Sequence, residues 1–148
     1  MSEPLPQYQP QLVDRPIGAW LLKDDEGRRL LEAEILPRWL PSRRWFGGKA
    51  RSIERISVEA VVPWTGAPAA VFVIAVHYAG HGPERYTVPL AHGPEGDFDD
   101  RSGFVARDNA SNVLSDAVFS ASFRATLLQL ITSGGTIGSG EKAVLKRK

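Results

Sequence analysis

Two short turns, each containing glycine and proline, divide the middle of the chain into three consecutive strand patterns; the turns are residues 65–68 and 79–83. Residues 56–64 alternate between apolar and polar side chains, which is typical of a half-buried strand. Residues 70–78 are apolar on both faces almost to their end, which favours a central strand, and residues 85–90 alternate again. Because consecutive strands joined by short turns pair antiparallel, the pattern predicts an antiparallel sheet of three or more strands.

Two helical patterns flank these strands. Residues 28–36 repeat apolar side chains at helical spacing, and Pro37 predicts that this helix ends at the preceding residue or kinks there. Residues 120–132 form a second apolar stripe, which Ser120 or Ser122 can cap. The sequence therefore predicts an α+β fold, in which an N-terminal helix packs on the sheet and a helical segment follows.

Composition along the chain predicts four regions. Residues 1–27 read as a proline-rich arm with a short apolar docking segment, and residues 28–92 as one domain of helix plus antiparallel sheet. The acidic, glycine-rich stretch 93–109 reads as a flexible loop. Residues 110–148 read as a helical segment and a basic tail, which could begin a following lobe.

Two details of the later regions stay open at this point. A short strand fits residues 103–107 inside the predicted loop, and residues 113–119 read as a short helical turn.

Composition also limits the classes of function. The 148 residues carry a formal net charge of +1, so the overall charge gives no reason to expect a nucleic acid or an anionic membrane as partner. The absence of cysteine excludes disulfides, thiolate metal sites and a cysteine nucleophile. The longest apolar run, residues 67–76, is too short to span a bilayer, and residues 1–14 lack the apolar core of a signal peptide. We therefore expect a cytoplasmic protein.

A search for chemical motifs finds no catalytic set. Phosphoryl transfer needs a phosphate-binding loop, metal-binding carboxylates and a residue that orients the nucleophile. Residues 135–142 approach a phosphate-loop pattern, but Glu141 places a negative charge where the lysine belongs. His77, His81 and His92 are irregularly spaced, which favours structural roles over metal binding. We predict no catalytic residue and no metal ligand in this chain.

Residues 43–49 read Arg-Arg-Trp-Phe-Gly-Gly-Lys, a basic and aromatic run in the connection between helix and sheet. In a functional interpretation, Arg43, Arg44 and Lys49 contact a phosphate or a partner's carboxylates, and Trp45 offers a face for a sugar ring.

The alternative interpretation of the same run is a packed corner. Trp45 and its neighbour would bury against the sheet, and the glycines would supply positive φ values for a turn. One of the arginines would stack on an aromatic ring or pair with Glu32 or Glu34. We favour this alternative, because aromatic side chains beside a glycine turn usually pack. The structural signature consists of Phe46, Gly47 and Gly48.

Residues 40–49, Leu-Pro-Ser-Arg-Arg-Trp-Phe-Gly-Gly-Lys, together with the helix before them, resemble the signature near the start of maltokinases. These include the kinase portions fused behind trehalose synthase. Pro63-Trp64, the strand at residues 83–90 and the helix around residues 127–131 are also similar to that family, so the resemblance covers roughly residues 28–135. In the family this region is a cap with a cystatin-like sheet beside a two-lobed kinase. The ATP loop, the catalytic aspartate and the metal ligands lie later in those chains.

The resemblance implies a non-catalytic N-terminal cap of an ATP:maltose 1-phosphotransferase in trehalose and glycogen metabolism. Its implied partners are the kinase lobe of the same or a longer protein, and trehalose synthase. ATP and Mg²⁺, and the enzyme activity itself, belong to the full-length family enzyme, so we expect no cofactor in this chain. The alternative is a stand-alone cystatin-like module that binds or regulates a sugar or a protein.

Overall fold

The computed structural model describes residues 8–48 and 50–133, which form one curled six-stranded sheet with helices on both faces. The strands run in the spatial order β1-β5-β6-β4-β3-β2, and among them β1 and β5 pair parallel while the other neighbours are antiparallel. Their bounds are β1 Gln11–Leu12, β2 Ile53–Pro63, β3 Ala69–Tyr78, β4 Glu84–Pro94, β5 Phe104–Arg107 and β6 Asn112–Asp116. The α+β class is confirmed, and the cystatin-like detail stays a prediction.

The N-terminal helical region runs further than the sequence pattern indicates. It comprises α1 Trp20–Lys23, α2 Asp25–Leu30, a π-helical turn Leu31–Ile35, α3 Leu36–Trp39 and a 3₁₀ turn Leu40–Ser42. The helix continues past Pro37 because the π turn lies directly before it. In that turn the Leu36 N–H donates to the Leu31 carbonyl, five residues back, so the usual four-residue pattern that proline disrupts is already interrupted.

Each face of the sheet has its own apolar core. On one face the N-terminal helices bury side chains such as Leu31, Ile35 and Trp39 against Phe72 and Leu90 of the sheet. Each such side chain contributes about 1.5–3 kcal/mol when fully buried. The other face packs against α4, Ala121–Ser133, through a second group of side chains. Its members are Val62, Trp64, Ala69, Val71, Ala91, Ala117 and Phe123.

Helix α4 begins with a side-chain cap. Ser120 Oγ accepts a hydrogen bond from the Phe123 N–H at 3.3 Å, as expected for one of the two serines proposed as caps. The Phe123 ring lies 4.5 Å from the ring of Trp64 and anchors the helix on the sheet. Gly134 and Gly135 follow this helix in the sequence, and glycine's access to the left-handed conformation predicts that they end it; both lie outside the described residues.

A β-bulge in β2 changes which face its side chains meet. The pairing with β3 shifts between Val58 and Ala60, so the two-residue alternation is interrupted there. As a result Ile56 packs in the core beneath the N-terminal helices, whereas Val62 packs in the core beneath α4. Next to the bulge on the edge strand β2, the Val58 N–H donates to Glu32 Oε2 at 2.6 Å, so this backbone group has a partner.

The sheet extends beyond residue 92, where the sequence predicted a loop and then a helical turn. Phe104–Arg107 forms β5, and Asn112–Asp116 forms β6, so the interpretation of residues 113–119 as helical was wrong for all but the 3₁₀ turn Ala117–Phe119. The reason is tertiary: β6 pairs with the second half of β4, β5 pairs with β6, and both short strands are largely buried.

Asp108 connects the N-terminal segment to the turn between β5 and β6. Its Oδ2 accepts from the Ile17 N–H at 2.6 Å, and its Oδ1 accepts from the N–H groups of Ala110 and Asn112 at 2.7 and 3.1 Å. Burial acts to raise the pKa of Asp108, but these N–H donors outweigh it and bring the pKa below its usual value. The ionised carboxylate therefore stabilises the folded state.

We predict that Asp108→Ala lowers the free energy of unfolding by about 2 kcal/mol, because the buried Ile17 N–H loses its acceptor. The control is Asp14→Ala, an exposed carboxylate of the same segment, which should change stability by no more than about 0.5 kcal/mol. Urea denaturation of the three proteins measures both values.

The same comparison gives a pH dependence. Since the folded pKa of Asp108 is depressed, the advantage of the wild type over Asp108→Ala should be complete above the ordinary pKa range of an aspartate and should shrink as the pH falls through and below that range. An advantage that grew on acidification would contradict this account of Asp108.

Candidate functional site

The basic and aromatic run forms a corner on the face of the sheet that carries the N-terminal helices. We call residues 43–48 the signature corner; it follows the 3₁₀ turn and crosses the place where β3 ends and β4 begins. Phe46 is only 2% exposed, and its ring centroid lies 5.3 Å from that of Tyr86 on β4. Phe46 is thus a core side chain that fixes the corner to the sheet.

Trp45 sits beside Phe46 but remains 44% exposed. Its ring centroid lies 5.9 Å from both Trp39, which is fully buried, and Tyr86. The packed-corner interpretation holds for Phe46, which is buried. Trp45 instead has one side against the rings of Trp39 and Tyr86 and the other side exposed to solvent. Sequence reasoning did not single out Trp39 or Tyr86, although the alternation along β4 already placed Tyr86 on an inward face.

The two glycines of the corner are required for different reasons. A Cβ atom at Gly48 would lie 2.0 Å from the Tyr78 hydroxyl oxygen, so the backbone passes directly against that ring. The Gly47 N–H donates to the Tyr86 hydroxyl at 3.2 Å, and a Cβ atom there would find ordinary space. Neither glycine has a positive φ, so the expected left-handed turn was wrong; close approach explains Gly48.

Arg43 points inward and connects the N-terminal helical region to the 3₁₀ turn Arg101–Gly103, directly before β5. Its guanidinium carbon lies 5.3 Å from the centroid of the Trp39 ring, and Nη1 donates to the Ser102 carbonyl oxygen at 2.7 Å. The predicted stacking on an aromatic ring is therefore present for Arg43. Glu32 and Glu34, the alternative partners in the prediction, accept hydrogen bonds from the Val58 N–H and from a side-chain amide on β1 instead.

The remaining cations of the run differ in position. Arg44 is exposed at the surface of the corner. Lys49, predicted to contact a ligand or partner, lies outside the described residues. Arg51, just beyond the corner, is half-exposed and pairs with Glu84 at 3.6 Å. Contacts of Arg44, Trp45 and Lys49 with a ligand or partner stay predictions.

Buried polar groups surround the corner. Burial raises the pKa of Asp116, although the Val118 N–H and the positive charge of Arg43 act in the opposite direction. Because a raised folded pKa favours the protonated acid, this group's stabilising contribution falls as the pH rises through that pKa. Burial also raises the pKa of Tyr78, and the nearby Glu84 and Tyr86 raise it further without forming a hydrogen bond of acceptable geometry to its hydroxyl.

Two of the three histidines, His77 and His92, lie in strands of the sheet, and His81 is exposed in the turn between β3 and β4. His77 Nε2 lies 3.2 Å from Ser57 Oγ on the neighbouring strand. Burial lowers the pKa of His92, and the positive charge of Lys23 lowers it further. Within residues 8–48 and 50–133, no group of three or more histidine, aspartate or glutamate side chains is placed to hold a metal ion.

No helix in the described part of the chain is long and apolar enough to cross a membrane.

Comparison with known protein families gives a match over much of the chain. The model of the maltokinase N-terminal cap domain matches residues 39–119, which is more than half of the chain. The chain belongs to the maltokinase N-terminal cap domain family. The match begins at the buried Trp39, includes the whole signature corner and ends with the 3₁₀ turn after β6. A search among curated proteins finds no significant match.

We predict that Gly48→Ala destabilises the fold by about 1–3 kcal/mol, because the new methyl group must displace the buried ring of Tyr78. Gly47→Ala is the matched control. It should lower the free energy of unfolding by no more than about 1 kcal/mol, since its Cβ would make only an ordinary van der Waals contact. Thermal unfolding of both variants tests the difference.

A second substitution checks the cause. Tyr78→Phe removes a buried hydroxyl that has no hydrogen-bond partner among the described residues, so alone it should be close to neutral. Combined with Gly48→Ala it should recover part of the lost stability, because the closest clashing atom is gone. Equal destabilisation by Gly47→Ala and Gly48→Ala, with no recovery, would contradict the close-approach explanation.

Proposed function

We propose that this chain is the non-catalytic cap of a maltokinase-type protein, an ATP:maltose 1-phosphotransferase, and that it docks on the kinase lobe through the signature corner. The observation that carries the proposal is the partial exposure of Trp45, whose ring packs against the buried Trp39 and the half-buried Tyr86. Tryptophan and arginine are enriched among the side chains that dominate binding energy at protein interfaces.

Rigidity supports the assignment of the corner as a docking point. The backbone on either side of Trp45 is fixed by the inward Arg43 and by the buried Phe46, and Gly48 lies against Tyr78. A side chain presented from such a scaffold loses little conformational entropy when a partner covers it. Arg44, exposed and next to Trp45 in the chain, carries a positive charge, which favours a partner surface that carries carboxylates.

The chemistry of the reaction belongs elsewhere in this proposal. ATP and Mg²⁺ would bind to the kinase lobe, and the cap would restrain that lobe around the maltose and ATP cleft. Trehalose synthase is a second partner in the proposal, with a role in trehalose and glycogen metabolism in the cytoplasm. The proposal assigns no catalytic activity to the cap alone.

The test uses a maltokinase lobe from which its own cap has been removed. We expect the chain to bind that lobe, and Trp45→Ala to weaken binding at least about tenfold, which corresponds to about 1.4 kcal/mol. Leu128→Ala is the control, since Leu128 is 64% exposed but lies on α4, across the sheet from the corner. Isothermal titration calorimetry gives the affinities.

Stability is measured alongside, because Trp45 also contacts Trp39 and Tyr86. Trp45→Ala should remain folded, with a loss of about 1–2 kcal/mol from the aromatic contacts. A folded Trp45→Ala variant that bound the lobe as tightly as the wild type would refute docking through the corner. Turnover of ATP with maltose by the chain alone would refute the non-catalytic assignment.

The alternative, a stand-alone module that binds a sugar or a protein, is separated from the cap proposal by the intact mass of the protein in its native host. A mass far above 16.2 kDa supports a cap joined to a kinase lobe, and a mass near 16.2 kDa supports the stand-alone module.

A further inference from the structure

An open groove of about 750 Å³ runs beside β1, at the end of the sheet opposite to β2. Residues 8–12 form one wall, and Arg38, Pro41 and Ser42 form the other. The groove therefore lies between an edge strand and the last turns of the N-terminal helical region. It does not include the aromatic rings of the signature corner.

The backbone of β1 has an unused edge in this groove. The Val13 N–H donates to the Arg107 carbonyl oxygen at 2.8 Å, so Val13 faces β5. Because neighbouring residues of a strand turn their N–H and C=O groups to opposite sides, those of Leu12 face the groove. Pro10, the previous residue on that side, has no N–H. Leu12 thus offers a single donor and acceptor pair to an added strand.

The side chains of the groove combine one charge with an apolar surface. Arg38 is exposed and forms no ion pair with any described residue; its contact is with Gln11 Oε1 at 3.5 Å. Leu12 is 56% exposed, a large value for a leucine of a sheet, and Pro41 lies on the facing wall. An occupant that matches this surface carries a carboxylate and an aliphatic side chain.

We propose that this groove binds an extended acidic segment of a partner protein, which adds to the sheet as a strand beside β1. One residue of the segment exchanges both backbone hydrogen bonds with Leu12, a carboxylate pairs with Arg38, and an aliphatic side chain covers Leu12. The proposal is independent of docking through the signature corner, since the groove shares none of that corner's residues.

A second copy of this chain fits the groove less well. Symmetric pairing of two β1 strands would bring the same surface of each copy together, and the described residues that line each groove include Arg38 but no carboxylate; Glu34, on the neighbouring surface, accepts a hydrogen bond from Gln11. Two Arg38 side chains brought close together by that pairing would repel each other. Charge complementarity therefore selects an acidic partner.

The test measures fluorescence anisotropy of the full chain with a labelled, capped heptapeptide of alternating glutamate and valine. A matched peptide with lysine in place of glutamate is the negative probe. We expect the acidic peptide to bind, Arg38→Gln to weaken binding at least about tenfold, and Arg38→Glu to transfer the preference to the lysine peptide. Arg55→Glu, an exposed arginine of the opposite edge strand, is the control and should change affinity less than about twofold.

Four results would overturn the proposal. These are absence of binding by the acidic peptide, an equal loss of affinity in Arg55→Glu, peptide binding that appears only after removal of residues 1–7, and self-association that Leu12→Asp abolishes in sedimentation experiments. The third would assign the groove to the chain's own N-terminal arm, and the fourth would assign it to a second copy. Because all substituted residues are exposed, circular dichroism should show folded variants.

Discussion

Burial of Phe46 against Tyr86 is the contact on which the signature corner depends. It ties the connection between helix and sheet to the start of β4, and full burial of such a ring contributes about 1.5–3 kcal/mol. Once Phe46 is inside, the chain must pass close to Tyr78, and only glycine fits at position 48. Trp45 then keeps one side on the aromatic cluster and one side in solvent. The exposed indole is therefore a consequence of how its neighbours pack.

Arg43 extends this arrangement across the sheet. Its guanidinium lies over Trp39, donates to Ser102 and acts on the pKa of Asp116, so the first residue of the corner contacts the segment around β5 and β6. The fold thereby uses one of the two arginines as a structural cation and leaves Arg44 at the surface. The two arginines look equivalent in the sequence, but in the fold Arg43 points into the protein and Arg44 is exposed at its surface.

Local patterns were sufficient for the class of fold and for the central strands. The turns at residues 65–68 and 79–83 predicted the hairpins correctly, since glycine and proline act through local backbone preferences. The sequence indicated β5 as a short strand within residues 103–107, but it missed β6, because the stability of β6 comes from pairing with distant β4. The bulge at Val58 was also hidden, because an alternating pattern continues through it while the faces exchange.

The candidate site was predictable in its location and less so in its geometry. The family signature identified residues 43–49, but no local pattern tells which of two adjacent aromatics is buried, and the partners Tyr86 and Tyr78 come from other strands. The continuation of the helix past Pro37 could not be predicted for a similar reason. The apolar spacing does not reveal the π turn, and that turn determines where Trp39 lies. Lys49 stays a prediction.

The central claim is that the signature corner is a rigid structural unit whose outer side meets a kinase lobe. Hydrogen–deuterium exchange tests it most directly, by comparison of this chain alone with the same chain bound to a maltokinase lobe. The account predicts slower exchange for the peptide covering residues 43–48 in the complex, with unchanged exchange in α4. Equal exchange at the corner in the two samples, or protection confined to α4, would contradict the account.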